Sequence, residues 1–153
     1  MLIRQATADD AEAISRLVTE LSKRFIVDDF EPHGRRSLLD SMTPAKVAEY
    51  IRGPFRFHVA EVNGEIVGVA GIRDARHLYY LFVDERCHRQ GIARELWLAA
   101  RRATGRRDDP AEFSVSASRY AVPAYIRLGS EVVGPEKVSS GVISVPMRWR
   151  GSL

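Results

Sequence analysis

Cysteine is nearly missing from this chain of 153 residues, where Cys87 stands alone. A single thiol excludes an internal disulfide framework and a cysteine-based zinc site, so nothing asks for an oxidising compartment and the cytoplasm is the expected setting. Long apolar runs are missing as well. The start turns polar at Arg4, and no later run nears the roughly 20 residues that cross a bilayer, so neither a signal peptide nor a membrane helix is expected. The histidines, His33, His58, His77 and His88, lack regular ligand spacing, which argues against a metal site. Repeats, low-complexity tracts and Pro/Gly/Ser linkers are absent too, so residues 1–153 read as one domain, and 45% hydrophobic residues suffice for one core. The net charge of +3 is a mild excess, concentrated in Arg86 to Arg107 and Arg148 to Arg150. It reads as solvated arginine rather than a nucleic-acid footprint.

What is present is a regular alternation of element signals. Leu2 to Gln5 suits a short strand. Thr7 with Asp10 has the form of a capping box, and Ala11, Ile14, Leu17, Val18, Leu21 and Phe25 then recur at helical spacing. Residues from Ile26 to about Met42 are charged and hold Pro32 and Gly34, which predicts a surface loop or a broken helix. Thr43-Pro44 opens a short helix with Val47, Tyr50 and Ile51 on its buried side. Phe55 to Val62 and Glu65 to Asp74 flank Asn63-Gly64, a strong hairpin signal. His77 to Val83 is apolar on both faces and is expected at the centre of the sheet with helices on either side. Ile92, Leu96, Ala99, Ala100 and Ala103 form one helical stripe, ended by Gly105. Phe113, Val115 and Ala117 alternate as a strand, Ala121 to Leu128 suits a short helix closed by Gly129, and Val142 to Trp149 alternates again. Trp97 and Trp149 read as core or interface aromatics.

Chemistry concentrates between Leu81 and Leu96, where a buried strand runs through a basic loop into a helix whose start holds Gly91 and Ala93. The first N–H groups of a helix lack internal partners and sit at the positive end of its dipole, so a pyrophosphate can accept several hydrogen bonds there. Small residues at 91 and 93 would let phosphate oxygens approach those amides. Neither a Gly-Lys-Ser/Thr P-loop nor a G-x-G-x-x-G dinucleotide fingerprint is present.

The run His88-Arg89-Gln90-Gly91-Ile92-Ala93, preceded by Leu81-Phe82-Val83, resembles the [Q/R]-x-x-G-x-[G/A] signature of the GNAT superfamily of N-acetyltransferases. Ser116 to Gly129 is similar to that family's later motif, N-x-S-x-x-A-x-x-x-Y-x-x-x-G-F. His88 stands where the family has Gln or Arg, Ser116 replaces its Asn, and Ser130 replaces its Phe. The element order from Leu2 to Trp149 fits the fold the resemblance implies: mixed α/β, with a central, mostly antiparallel twisted sheet of about six to seven strands and about four flanking helices. It implies acetyl-coenzyme A as cosubstrate without a metal, an acceptor that is a small-molecule or peptide amine, and direct transfer within a ternary complex. It also implies that the backbone of Leu81, Phe82 and Val83 meets the pantetheine amides beside Ser116, and that His88 to Arg94 hold the pyrophosphate. Arg89 or Arg94 would reach the 3′-phosphate. A homodimer is compatible with the family. Two other classes compete: a non-catalytic acyl-coenzyme A-binding or regulatory module using the same anion site, and a nucleic-acid binder using the arginines.

Acyl transfer needs a neutral amine, and a lysine-like amine has a pKa near 10.4, so a proton acceptor is required. Glu65, Asp74, His77, Tyr79 and Tyr80, at the strand mouths, are the candidates. A backbone N–H of Val83 or Phe82 would stabilise the oxyanion. Tyr125 stands at the family's tyrosine acid, matched to a thiol leaving group, with Tyr120 as the substitute. Cys87 lacks a suitably placed base for covalent catalysis. The acceptor is expected to meet the segment Arg24 to Met42 and the strand mouths.

Overall fold

A computed structural model describes residues 1–106 and 112–150. Arg107, counted above in the basic stretch, lies outside the described residues. Strand β1 (Leu2–Gln5) leads through a 3-10 turn to α1 (Ala11–Phe25), α2 (Pro32–Asp40) and α3 (Pro44–Arg52). The hairpin β2 (Phe55–Val62) and β3 (Glu65–Arg73) follows, then β4 (His77–Val83) and α4 (Ile92–Ala103). The chain closes with β5 (Phe113–Ala117), α5 (Val122–Arg127), β6 (Glu131–Val132), β7 (Lys137–Ser139) and β8 (Val142–Trp149). The class is the expected mixed α/β, with eight strands and five helices among the described residues.

Local chemistry explains the boundaries. Thr7 and Asp10 form the capping box, and Arg4 holds Asp10 at 2.8 Å and Glu61 at 2.5 Å, fastening the turn to β1 and β2. The Thr43 hydroxyl accepts from the Lys46 N–H at the start of α3. Asn63 and Gly64 both have positive φ, the geometry a two-residue hairpin turn demands. The segment 26–42 is more ordered than its composition predicts: Pro32 sits at the first helical position, where its missing N–H does no harm, and α2 runs nine residues.

The sheet order is β1-β2-β3-β4-β5-β8-β6, with β7 paired to β8. All pairings are antiparallel except β4 with β5. One face buries Leu78, Leu96, Trp97, Phe113, Met147 and Trp149 under α4 and α5; the other buries Ile14, Val18, Val47, Phe57, Val69 and Tyr80 under α1 and α3. Strand β4 therefore feeds both cores, as its doubly apolar sequence predicts.

Two irregularities shape the centre. The β3–β4 register shifts between Gly71 and Ile72, so that Gly71 faces Tyr80 while Ile72 faces Leu78. Tyr79 is the extra residue of this bulge, which turns its ring onto the same face as Tyr80, where the two stack at 4.8 Å. The second is a gap: β4 pairs with β5 only through His77–Ser114 and Leu78–Val115, and beyond Leu78 the two strands part.

Candidate active site

The parting of β4 and β5 leaves backbone groups open on β4. The Asp84 N–H donates to the Val67 carbonyl, so by alternation the polar groups of Phe82 also face β3 while those of Leu81 and Val83 turn toward the gap. Of the three residues expected to present amides, Phe82 thus spends its own on the ladder and offers its side chain to the cavity wall. The Val83 carbonyl is met by the His88 ring, Nε2 at 2.7 Å. A carbonyl only accepts, so Nε2 carries the proton.

The loop from Asp84 to Gly91 is braced internally. The Asp84 carboxylate accepts from the Arg86 N–H and guanidinium, which holds that carboxyl below the usual range. Arg86 also reaches Glu65 at 3.3 Å, and Arg24 at the end of α1 pairs with Glu85. Glu65 is therefore a partner of the loop at the hairpin end, away from the cavity lining, and Asp74 likewise sits on a turn beside Arg73.

Arg89 and Gly91 both have positive φ, and Gly91 caps α4 at φ 78°. A Cβ on Gly91 would meet nothing within 4 Å, so the glycine serves the backbone turn and faces open space. The first bond of α4 runs from the Glu95 N–H to the Gly91 carbonyl, leaving the amides of Ile92, Ala93 and Arg94 without a partner among the described residues. The Ile92 side chain is buried in the core, so it can offer a ligand its amide alone. Arg89 and Arg94 line the cavity and, among the described residues, have no ion-pair partner. Gln90 is exposed and outside the lining.

The cavity holds about 840 Å³ and passes from the start of α4 through the gap to α1 and α2. Ser116 faces it from β5, and Tyr125 faces it from α5. Tyr125 is buried with its ring edge-on to Trp149 at 5.7 Å, and desolvation pushes its phenol pKa up, keeping it protonated. Tyr120 is half exposed and stacks on Phe25 at 4.7 Å, across the far end. His77 Nδ1 lies 2.8 Å from Ser114 Oγ, and burial, then Arg73, lowers its pKa. Tyr80, pushed up by burial and then by Tyr79, has a buried hydroxyl without a partner among the described residues. Cys87 is free and half-buried on the lining. Ser130 is buried, its hydroxyl without a partner among the described residues, and its N–H donates to the Tyr125 carbonyl.

Sequence reasoning missed two parts of this cavity. The bulge at Tyr79 has no sequence signal, since tyrosine is an ordinary strand residue. Val142, Ile143 and Ser144 of β8 line the far end, although their alternation shows only that they belong to a strand.

Comparison with known proteins follows the same geometry. The acetyltransferase (GNAT) domain family matches residues 26–150. A GCN5-related N-acetyltransferase structure from Rhodopseudomonas palustris is similar at TM-score 0.81 and 18% identity, covering 97% of this chain and 94% of that one. The PaiA N-acetyltransferase of Thermoplasma acidophilum, in complex with coenzyme A, is similar at 0.79 and 15% identity, covering 97% and 98%. An aminoglycoside 6′-N-acetyltransferase complexed with coenzyme A gives 0.70 and 14% identity, covering 98% and 97%. A search of curated protein sequences gave no significant match. With the family matched over most of its length, the chain belongs to the GNAT acetyltransferases and is an acyltransferase.

Proposed function

We propose that this protein transfers an acetyl group from acetyl-coenzyme A to the primary amine of an acceptor, with both bound at once. The observation that carries the reading is the gap beside β4: backbone groups of Leu81 and Val83 open onto a cavity with unpartnered helix amides at one end and an apolar chamber at the other. A pantetheine arm has amides at the spacing of a strand and fits that role, and its pyrophosphate fits Ile92 to Arg94. A coenzyme A complex of a neighbour with the same fold supports the assignment.

Bound acetyl-coenzyme A supplies an acyl carbon on a thioester: a C–N bond forms, the C–S bond breaks, and the sulfur leaves needing a proton. His88, Arg89, Gly91, Ile92 and Ala93 and the backbone of Leu81 and Val83 bind and orient, with Ser116 facing them from β5. Arg89 and Arg94 offer forked cations to the remaining phosphate. The N–H of Leu81 or Val83 stabilises the oxyanion, a reading supported by their turning away from β3, whereas Phe82 turns toward it. Tyr125, kept protonated by burial, donates to the leaving sulfur. His77 is the proton acceptor that the lining favours: its lowered pKa keeps the ring neutral, and with Nδ1–H given to Ser114, Nε2 holds a lone pair. The lone, free Cys87 is in keeping with a reducing, cytoplasmic setting.

The test is release of free thiol from acetyl-coenzyme A with a panel of primary amines. Amine-dependent release is expected. Coenzyme binding without turnover for any amine would instead favour an acyl-coenzyme A-binding module.

A further inference from the structure

Resting on the acetyl-transfer reading, we infer that the acceptor is a compact monoamine bearing an aryl or alkyl group, and that polyamines and aminoglycosides are excluded. Among the described residues no aspartate or glutamate lines the cavity. Its charged side chains are all arginines: Arg89 and Arg94 are taken up by the coenzyme phosphates, and Arg73 and Arg127 remain. A polycation entering here would give up hydration at several ammonium groups and find no carboxylate on the lining to replace it. A monoamine carries one charge and sheds it as it reacts.

The walls of the acceptor end say what the rest of the molecule is. Phe25, Ile26, Phe30, Leu38 and Met42 come from the α1–α2 side, and Tyr79 and Tyr80 from the bulged strand. Such a surface rewards an apolar ring or chain. One polar group stands out: the buried Tyr80 hydroxyl, without a partner among the described residues, which can donate one hydrogen bond and accept another.

The size limit comes from three contacts that join the two sides of the gap at this end. Phe25 stacks on Tyr120, with ring planes 11° apart. Arg119 reaches Asp29 at 3.6 Å and Glu136 at 2.5 Å. Gly34 of α2 presses on Gly141 in the β7–β8 turn so closely that a Cβ at 34 would lie 2.1 Å from the Gly141 carbonyl oxygen. The segment around α2 is thereby fastened across the chamber, which favours a small molecule over a folded chain.

The experiment compares kcat/KM for 2-phenylethylamine, hexylamine, spermidine, kanamycin and a decapeptide with a free N-terminus, alongside calorimetry with acetyl-coenzyme A. The two monoamines should exceed the other three by about tenfold to a hundredfold, the range expected for burying one apolar group. A second variant probes the cause: Leu38→Glu, on the half-buried lining, should raise the spermidine-to-phenylethylamine ratio by about tenfold through one added carboxylate. Its fold is checked by circular dichroism, and the parent panel decides the matter alone if the variant does not fold. Best turnover with spermidine, kanamycin or the peptide would overturn this inference and leave acetyl transfer standing. No turnover with any amine, together with no heat from acetyl-coenzyme A, would overturn both.

Discussion

Replacing Tyr125 with phenylalanine removes one oxygen atom and leaves the rest of the site intact. The ring that sits edge-on to Trp149 at 5.7 Å remains, so packing on the α4–α5 face should change little. Burial raises the phenol's pKa, so the hydroxyl stays protonated over the whole working range and is a donor at every pH of interest. General acid catalysis contributes about 10²- to 10⁴-fold. At about 1.4 kcal/mol per tenfold, Tyr125→Phe should raise the barrier by roughly 3 to 5.5 kcal/mol. The loss should fall on kcat, because the leaving sulfur needs its proton only as the C–S bond breaks, while coenzyme affinity should move less than about twofold. Steady-state thiol release gives kcat, and calorimetry gives the dissociation constant. A variant with kcat within about twofold of the parent would remove Tyr125 from the mechanism and turn attention to Tyr120.

Three further outcomes follow from particular contacts. Gly34→Ala puts a Cβ against the Gly141 backbone, so the α2 bridge must shift; acceptor KM should rise and stability fall by about 1 to 3 kcal/mol, read by denaturant titration. Gly91→Ala forces a left-handed φ of 78° on a residue with a side chain, costing about 1 kcal/mol, and sets a methyl in the open space before α4; the KM for acetyl-coenzyme A should rise more than kcat falls. His58 is buried, its Nδ1 without a partner among the described residues, and desolvation, then Arg56, lowers its pKa in the folded state. The unfolded chain therefore takes the proton first: stability is complete above about pH 6.5 and is lost as pH falls from there through the lower folded-state value. Thermal melts between pH 7.5 and 5 should show that decline, and His58→Leu should flatten it; an unchanged slope would assign the decline elsewhere, His77 first.

The sequence announced those elements whose cause is local. The capping box of Thr7 and Asp10, the Asn63-Gly64 turn and the stripe from Ile92 to Ala103 each depend on neighbours a few residues away, and all stand as read. Helix α2 was obscured because Pro32 and Gly34 look like breakers, whereas proline is at home at a helix start and glycine is there for a contact made with Gly141, over 100 residues on. Strands β6 and β7 are two and three residues long and exposed on both faces, so they have no apolar alternation to detect. The turn that opens α4 was legible in Gly91 and Ala93, yet only the strand register shows that the N–H groups of Leu81 and Val83, and not that of Phe82, turn away from β3. Glu65 and Asp74 looked available as bases because sequence gives no distance; the fold ties one to Arg86 and places the other on a turn by Arg73.

The central claim is that coenzyme A lies along the open edge of β4 with its pyrophosphate on the first amides of α4. Amide chemical shifts measured on isotope-labelled protein during titration with coenzyme A address it residue by residue. The N–H signals of Leu81, Val83, Ile92, Ala93 and Arg94 should move together and saturate, while that of Phe82, held in the ladder with β3, should move least. Saturable binding that leaves those five amides in place, or no shift at all in a folded protein, would contradict the account.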